Sequence, residues 1–149
     1  MSRDLTITQA AATAGVSIDT LRFYEREGLL PPIARNAGGH RRYDERIMTW
    51  LAFALHLRAT GMPLENIRLY VQLGLQGEGT VRQRRLLLEA HAEAVEHKLA
   101  MLHAAMASIR YKLDHLHDLE DELQAKQRAV PRRRPSAASH QIAGKAGRL

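Results

Sequence analysis

Residues 8–28 read TQAAATAGVSIDTLRFYEREG, and the punctuation of this stretch decides the fold. The alanine-rich run 8–14 predicts a short helix that Gly15 stops. Ser17 precedes Ile18-Asp19-Thr20-Leu21, where its hydroxyl can accept from unpaired backbone N–H groups, and Asp19 in the first turn complements the helix dipole. A second helix runs to Glu27, and Gly28 ends it as a left-handed residue would. With Ala10, Ala11, Ala14, Val16 and Leu21 facing inward, two short helices joined by Gly15-Val16-Ser17 form a helix-turn-helix pattern. Helical hairpins also serve as plain packing units, so the pattern alone assigns no chemistry.

The second helix offers Ser17, Thr20, Arg22 and Tyr24 near its N-terminal half. Arg22 suits a bidentate contact to guanine or a phosphate, and Ser17 and Thr20 are short donors for a base edge or the backbone. The competing reading is a solvated face on which Arg22 pairs with Glu25, or Arg26 with Asp19. Immediately downstream, Pro31-Pro32 forces extended chain, and Asn36-Ala37-Gly38-Gly39 predicts a turn between two short polar arms. Arg35 lies on one arm and His40, Arg41 and Arg42 on the other. A small β-hairpin bearing cations beside a helix-turn-helix is a winged arrangement. Tyr43-Asp44 closes it, with Asp44 placed to cap the next helix.

Helices are predicted over 45–59 and 64–74, separated by Gly61 and Pro63. In the first, Ile47, Trp50, Leu51, Phe53, Ala54, Leu55 and Leu57 cover nearly every side, which predicts a helix sandwiched between layers. Residues 80–124 hold no Gly or Pro and predict one helix of roughly 67 Å. Positions 88, 92, 95, 99, 102, 106, 109, 113, 116, 120 and 123 alternate in steps of four and three. They hold Leu88, Ala92, Val95, Leu99, Leu102, Met106, Ile109, Leu113, Leu116, Glu120 and Leu123, a heptad stripe broken only at Glu120. Nothing else in the chain matches that length, so the stripe is expected to bury against a second copy. Burial of ten such side chains per helix contributes on the order of 10 kcal/mol before ordering costs.

The 149 residues carry a net charge of +6 and no cysteine, which removes disulfides, thiolate metal sites and cysteine nucleophiles. Residues 1–75 hold nine Lys/Arg against seven Asp/Glu, and 76–127 seven against nine. Residues 128–149 hold six against none. The excess therefore sits in a tail, 127–149, whose Pro, Gly and Arg132-Arg133-Arg134 composition predicts disorder. No apolar run is long enough to span a bilayer and the start lacks a secretory core, so a cytoplasmic protein without membrane contact is expected. The expected fold class is all-α, in three parts. A winged helix-turn-helix head with a small β-hairpin wing occupies 1–75, a coiled-coil dimerisation helix 76–126, and a disordered basic tail 127–149.

The order of these parts and their local sequences resemble the MerR family of bacterial transcription regulators. The resemblance rests on Gly15-Val16-Ser17, Thr20-Leu21-Arg22-Phe23-Tyr24-Glu25 and Gly28-Leu29-Leu30-Pro31-Pro32. It continues in Gly39-His40-Arg41-Arg42-Tyr43-Asp44 and Leu57-Arg58-Ala59-Thr60-Gly61-Met62, and spans about residues 5–125. It implies a homodimer that binds a pseudo-palindromic promoter site and bends and untwists the DNA, so that RNA polymerase can open the promoter. The family's DNA-contacting positions fall on Ser17, Arg22, Tyr24, Arg35, Arg41 and Arg58, with His40 where an aromatic often precedes the wing arginine. Asp19 replaces a family lysine. The dimer seam expected from the heptad stripe is Leu88, Val95, Leu99, Leu102, Met106, Ile109, Leu113 and Leu116.

Residues 43–80 are most similar to the branch that answers aldehydes and other electrophiles through one cysteine on the third helix. His56 occupies that position, and imidazole does not perform thiolate chemistry. His56 is thus either a sensor of another kind or a packed histidine with a satisfied ring nitrogen. The metal-sensing branches place cysteines at both ends of the dimer helix, and this chain has none; a drug-binding domain after Leu123 is not expected. His91, His97, His103, His115 and His117 fall on outward or flanking heptad positions with no pair at i, i+3 or i+4, so they are expected to be solvated. No cofactor or metal is expected. An architectural DNA-binding protein without an effector is the main alternative, and a coiled-coil scaffold with a decayed head the next. An enzyme is disfavoured, because no phosphate-binding Gly-rich motif or nucleophile–base arrangement is present.

Overall fold

The computed structural model describes residues 4–133 and Pro135. The chain divides into two compact units, Met1–Met101 and Leu102–Leu149. Its helices are α1 (Ile7–Ala14), α2 (Ile18–Arg26), α3 (Glu45–Ala59), α4 (Leu64–Leu75) and α5 (Val81–Ala129), with one 3-10 turn at Glu78–Thr80. The architecture is mostly helical with a long C-terminal helix.

Local chemistry sets the helix boundaries in the first unit. Thr6 and Gln9 form a reciprocal capping box at the start of α1, and Gly15 ends that helix at φ 72°. The Ser17 hydroxyl accepts from Thr20 N at 3.0 Å, and Asp44 accepts from Ile47 N at 2.8 Å. Gly28 follows α2 at φ 70°. Helix α4 starts at Pro63, whose carbonyl accepts from the amides of Asn66 and Ile67.

The core joins α1, α2, α3 and α4 through Ala10, Leu21, Leu29, Tyr43, Leu51, Met62 and Ile67. Ala14 and Val16 are half-buried rather than buried. Helix α3 buries Ile47, Leu51, Ala54 and Leu57, while Trp50, Phe53 and Leu55 are half-buried. Trp50 and Phe53 pack on Tyr70 of α4 with ring centroids 5.7 and 5.4 Å apart. Apolar neighbours thus cover two sides of α3 and leave Ala52 and His56 exposed, short of the all-round enclosure its composition predicts.

The expected β-hairpin is reduced to single bridges. Among the described residues, Arg35 pairs with Arg41 and Leu5 with Tyr43, each antiparallel and one residue long. Gly38 and Gly39 at the tip and Pro32 at the base leave arms too short for a ladder.

No residue of α5 is fully buried, although Leu88 packs against the core of the first unit. In the second unit Leu102, Met106, Ile109, Leu113 and Leu116 are all exposed. Helix α5 also runs to Ala129, so residues 127–129 of the expected disordered tail are helical. Alanine, lysine, glutamine and arginine favour a helix, and Val130 before Pro131 ends it. The remaining tail expectation lies, from 136 onward and at position 134, outside the described residues. Among the described residues no helix is long and apolar enough to cross a membrane.

Candidate nucleic-acid interface

Four of the expected contact residues line one cleft of about 470 Å³: Arg22 of α2, and Arg35, His40 and Arg41 of the 34–42 turn, with Arg42 and Asp4 beside them. The turn is fixed by its own backbone. Asn36 N donates to His40 O at 2.8 Å, Arg42 N to Ala34 O at 2.9 Å, and the Asn36 side-chain oxygen accepts from the amides of Gly38 and His40. Gly39 sits at φ 79°, a conformation that costs a side-chain-bearing residue more than glycine. Arg35 Nη1 donates to Gly39 O at 2.9 Å.

The on-helix ion pairs of the solvated-face reading do not form. Arg22 meets Asp19 only at 4.0 Å with both side chains more than half exposed, and Arg26 meets Glu27 at 3.8 Å. Arg22 therefore keeps an accessible guanidinium. Glu25 pairs instead with Arg41, whose Nε donates to Oε1 at 2.8 Å and lies 2.7 Å from Oε2 as an ion pair. The hydrogen bond and charge of Glu25 raise the pKa of Arg41 above its ordinary value. Arg42 Nε sits 2.7 Å from Asp4, and Leu5 and Tyr43 exchange two backbone hydrogen bonds, so the second arm is tied to the N-terminal segment.

Ser17 and Thr20 meet each other: Ser17 Oγ donates to Thr20 Oγ1 at 2.9 Å. The Ser17 proton is thereby used within the cap, while Thr20 keeps its own. Tyr24 has its ring in the core, and its hydroxyl forms no hydrogen bond among the described residues. Burial pushes the Tyr24 phenol up, and the Arg58 charge pulls it down, which brings these two expected contacts into one electrostatic neighbourhood. Arg58 is exposed. Tyr43, fully buried, is raised first by burial and then by the Glu25 carboxylate, against the charges of Arg41, Arg22 and Arg35.

Two histidine expectations are corrected. His91 is half-buried rather than fully solvated, and its Nε2 lies 2.7 Å from Thr60 Oγ1 at the end of α3. His56 is exposed, with no hydrogen bond to its ring among the described residues, so it is not a packed histidine with a satisfied nitrogen. Among the described residues no group of three or more His, Cys, Asp or Glu lies together to hold a metal ion. The sequence did not reveal Glu25 as the Arg41 partner. Nor did it reveal Arg68, which reaches from α4 to the end of α2 and donates to Glu27 O at 2.6 Å.

Comparison with known proteins identifies the family. The family model for MerR HTH family regulatory proteins matches residues 5–73, and that for MerR DNA binding matches residues 48–111. An HTH-type transcriptional regulator of Haemophilus influenzae is 35% identical over 108 residues, covering 72% of this chain and 80% of that protein. The regulator YyaN of Bacillus subtilis is 32% identical over 133 residues, covering 80% and 96%. The crystal structure of HiNmlR, a MerR family regulator lacking the sensor domain and bound to promoter DNA, superposes with a TM-score of 0.74. That pair is 32% identical, over 80% of this chain and 94% of that one. On the sequence, the fold and these relatives, the chain belongs to the MerR family of helix-turn-helix transcription regulators.

Proposed function

We propose that the chain is a homodimeric transcription regulator that binds a pseudo-palindromic promoter site and distorts it to control initiation by RNA polymerase. The observation that carries this reading is the cleft in which Arg22 of the recognition helix α2 joins Arg35, His40 and Arg41 of the turn. In this reading the turn serves as the wing and supplies phosphate contacts, while Arg22 reaches a base edge. Tyr24 and Arg58 hold a phosphate together, and Ser17 and Thr20 reach the backbone at the start of α2.

Dimerisation uses the exposed apolar stripe of α5, which includes Leu99, Leu102, Met106, Ile109, Leu113 and Leu116. The charge pattern favours antiparallel copies. Arg82, Arg84 and Arg85 open the helix, and Asp114, Asp118, Glu120, Asp121 and Glu122 lie toward its other end. His56 stands exposed where a cysteine serves the electrophile-responsive branch, and a covalent sensor is not assigned to it.

A promoter-length footprint at physiological salt tests this reading. A short protected palindrome is the expected result. Protection that spreads in proportion to DNA length would instead establish architectural coating without sequence preference.

A further inference from the structure

Glu25 uses both carboxylate oxygens on a single nitrogen of Arg41, the Nε, at 2.8 and 2.7 Å. The pair is shielded, with side chains 23% and 33% exposed, and Oε2 is buried with no hydrogen-bond donor of its own. The Arg41 Nη1 and Nη2 groups form no hydrogen bond among the described residues, and Arg41 lines the cleft with Arg22 and Arg35. A guanidinium gripped along its Nε edge loses rotation about its long stem and keeps two parallel donors for a phosphate. Ordering that side chain before DNA arrives removes part of the entropy cost of the contact.

We propose that Glu25 is a positioning residue for DNA binding, a carboxylate that pre-orients Arg41 so that its two Nη groups are presented to a DNA phosphate. The assignment rests on the reading of the cleft as the DNA interface. It predicts the reverse of simple charge counting, because deleting an anion beside DNA ordinarily strengthens binding.

The test is a double-mutant cycle on the duplex recovered by selecting genomic fragments with the purified protein. Glu25→Ala is expected to weaken binding about fivefold in the native background and not at all in the Arg41→Ala background. Glu25→Gln retains an acceptor for Nε and is expected to lose only about twofold, again only when Arg41 is present; it serves also if the alanine variant fails to fold. Equal weakening in both backgrounds, or tighter binding by Glu25→Ala or Glu25→Gln with Arg41 in place, overturns the assignment alone. Wild-type protein that retains no fragment overturns the functional reading and the assignment together.

Discussion

Thr60 and His91 are 31 positions apart and share a 2.7 Å contact that ties the end of α3 to α5. The direction of this bond follows from the other duties of Thr60. Its hydroxyl proton is directed at the carbonyls of His56 and Leu57, at 3.1 and 3.0 Å. The Thr60 oxygen therefore accepts, and His91 donates through Nε2–H. His91→Ala is expected to cost about 1 kcal/mol of stability, and His91→Gln, which keeps a donor, less. Urea unfolding at one fixed protein concentration measures both, so that any self-association contributes equally to each variant.

A second close approach constrains Gly74 in α4. A Cβ there would lie 2.6 Å from Trp50 Cη2 and 2.9 Å from Cζ2. The indole is packed against Tyr70 and has little freedom to retreat. Gly74→Ala gains up to about 1 kcal/mol in helix propensity but forces the ring aside at a cost of roughly 1–3 kcal/mol. Net destabilisation with altered Trp50 fluorescence is expected. Trp50 is the chain's sole tryptophan, so its emission reports on this contact directly. An unchanged emission spectrum together with a raised unfolding midpoint would refute the clash.

Alkaline pH is expected to weaken the fold through two tyrosines. Burial is the main cause that holds the phenols of Tyr24 and Tyr43 above the ordinary value of 10.0. The folded state therefore retains protons that the unfolded chain has released. That contribution is complete below about pH 10 and is lost as pH rises through the higher folded values. The Tyr43 hydroxyl has no hydrogen-bond partner, so Tyr43→Phe removes an unsatisfied buried group. The variant is expected to match or exceed the wild type in stability at pH 8 and to lose less of it by pH 11. Thermal melts across that range check both statements.

What the sequence disclosed and what it concealed divide by separation along the chain. Ser17, Gly15, Gly28 and Asp44 act on backbone within about four residues, and such signals are readable because residue type and conformation are coupled locally. The heptad stripe of α5 was readable for the same reason. The pairs that tie α2 to its neighbours are not local: Glu25 with Arg41 spans 16 positions and Arg68 with Glu27 spans 41. Charge alone offered Glu25 an equally good partner in Arg22 on its own helix. Only the packing of the turn against α2 selects Arg41. The hairpin was over-read because turn chemistry at Asn36–Gly39 specifies a reversal and not the length of the arms it joins.

Arg22 is the residue on which sequence reading by the protein is expected to depend. Its guanidinium is more than half exposed and its contact with Asp19, at 4.0 Å, is too loose to hold it. Arg22→Ala is expected to weaken binding to the selected site by about 1–3 kcal/mol and binding to random duplex by much less. Fluorescence anisotropy at one salt concentration measures both. Equal losses on the two duplexes would mean that Arg22 touches only phosphate.

Dimerisation is testable at two neighbouring exposed positions of the stripe. Leu102 is 65% and Met106 46% exposed within one chain, and the two stand four residues apart on one helix face. Glutamates at both positions place four like charges in a two-chain seam, where each is either desolvated or forces the helices apart. The Leu102→Glu/Met106→Glu variant is expected to sediment as a monomer, keep the helix content of the first unit, and lose affinity for the paired site. The affinity loss follows because one head contacts one half-site and gains nothing from the second. A variant that remains dimeric by light scattering would place the seam on another face of α5. A monomer that still binds the full site tightly would show instead that recognition needs only one head.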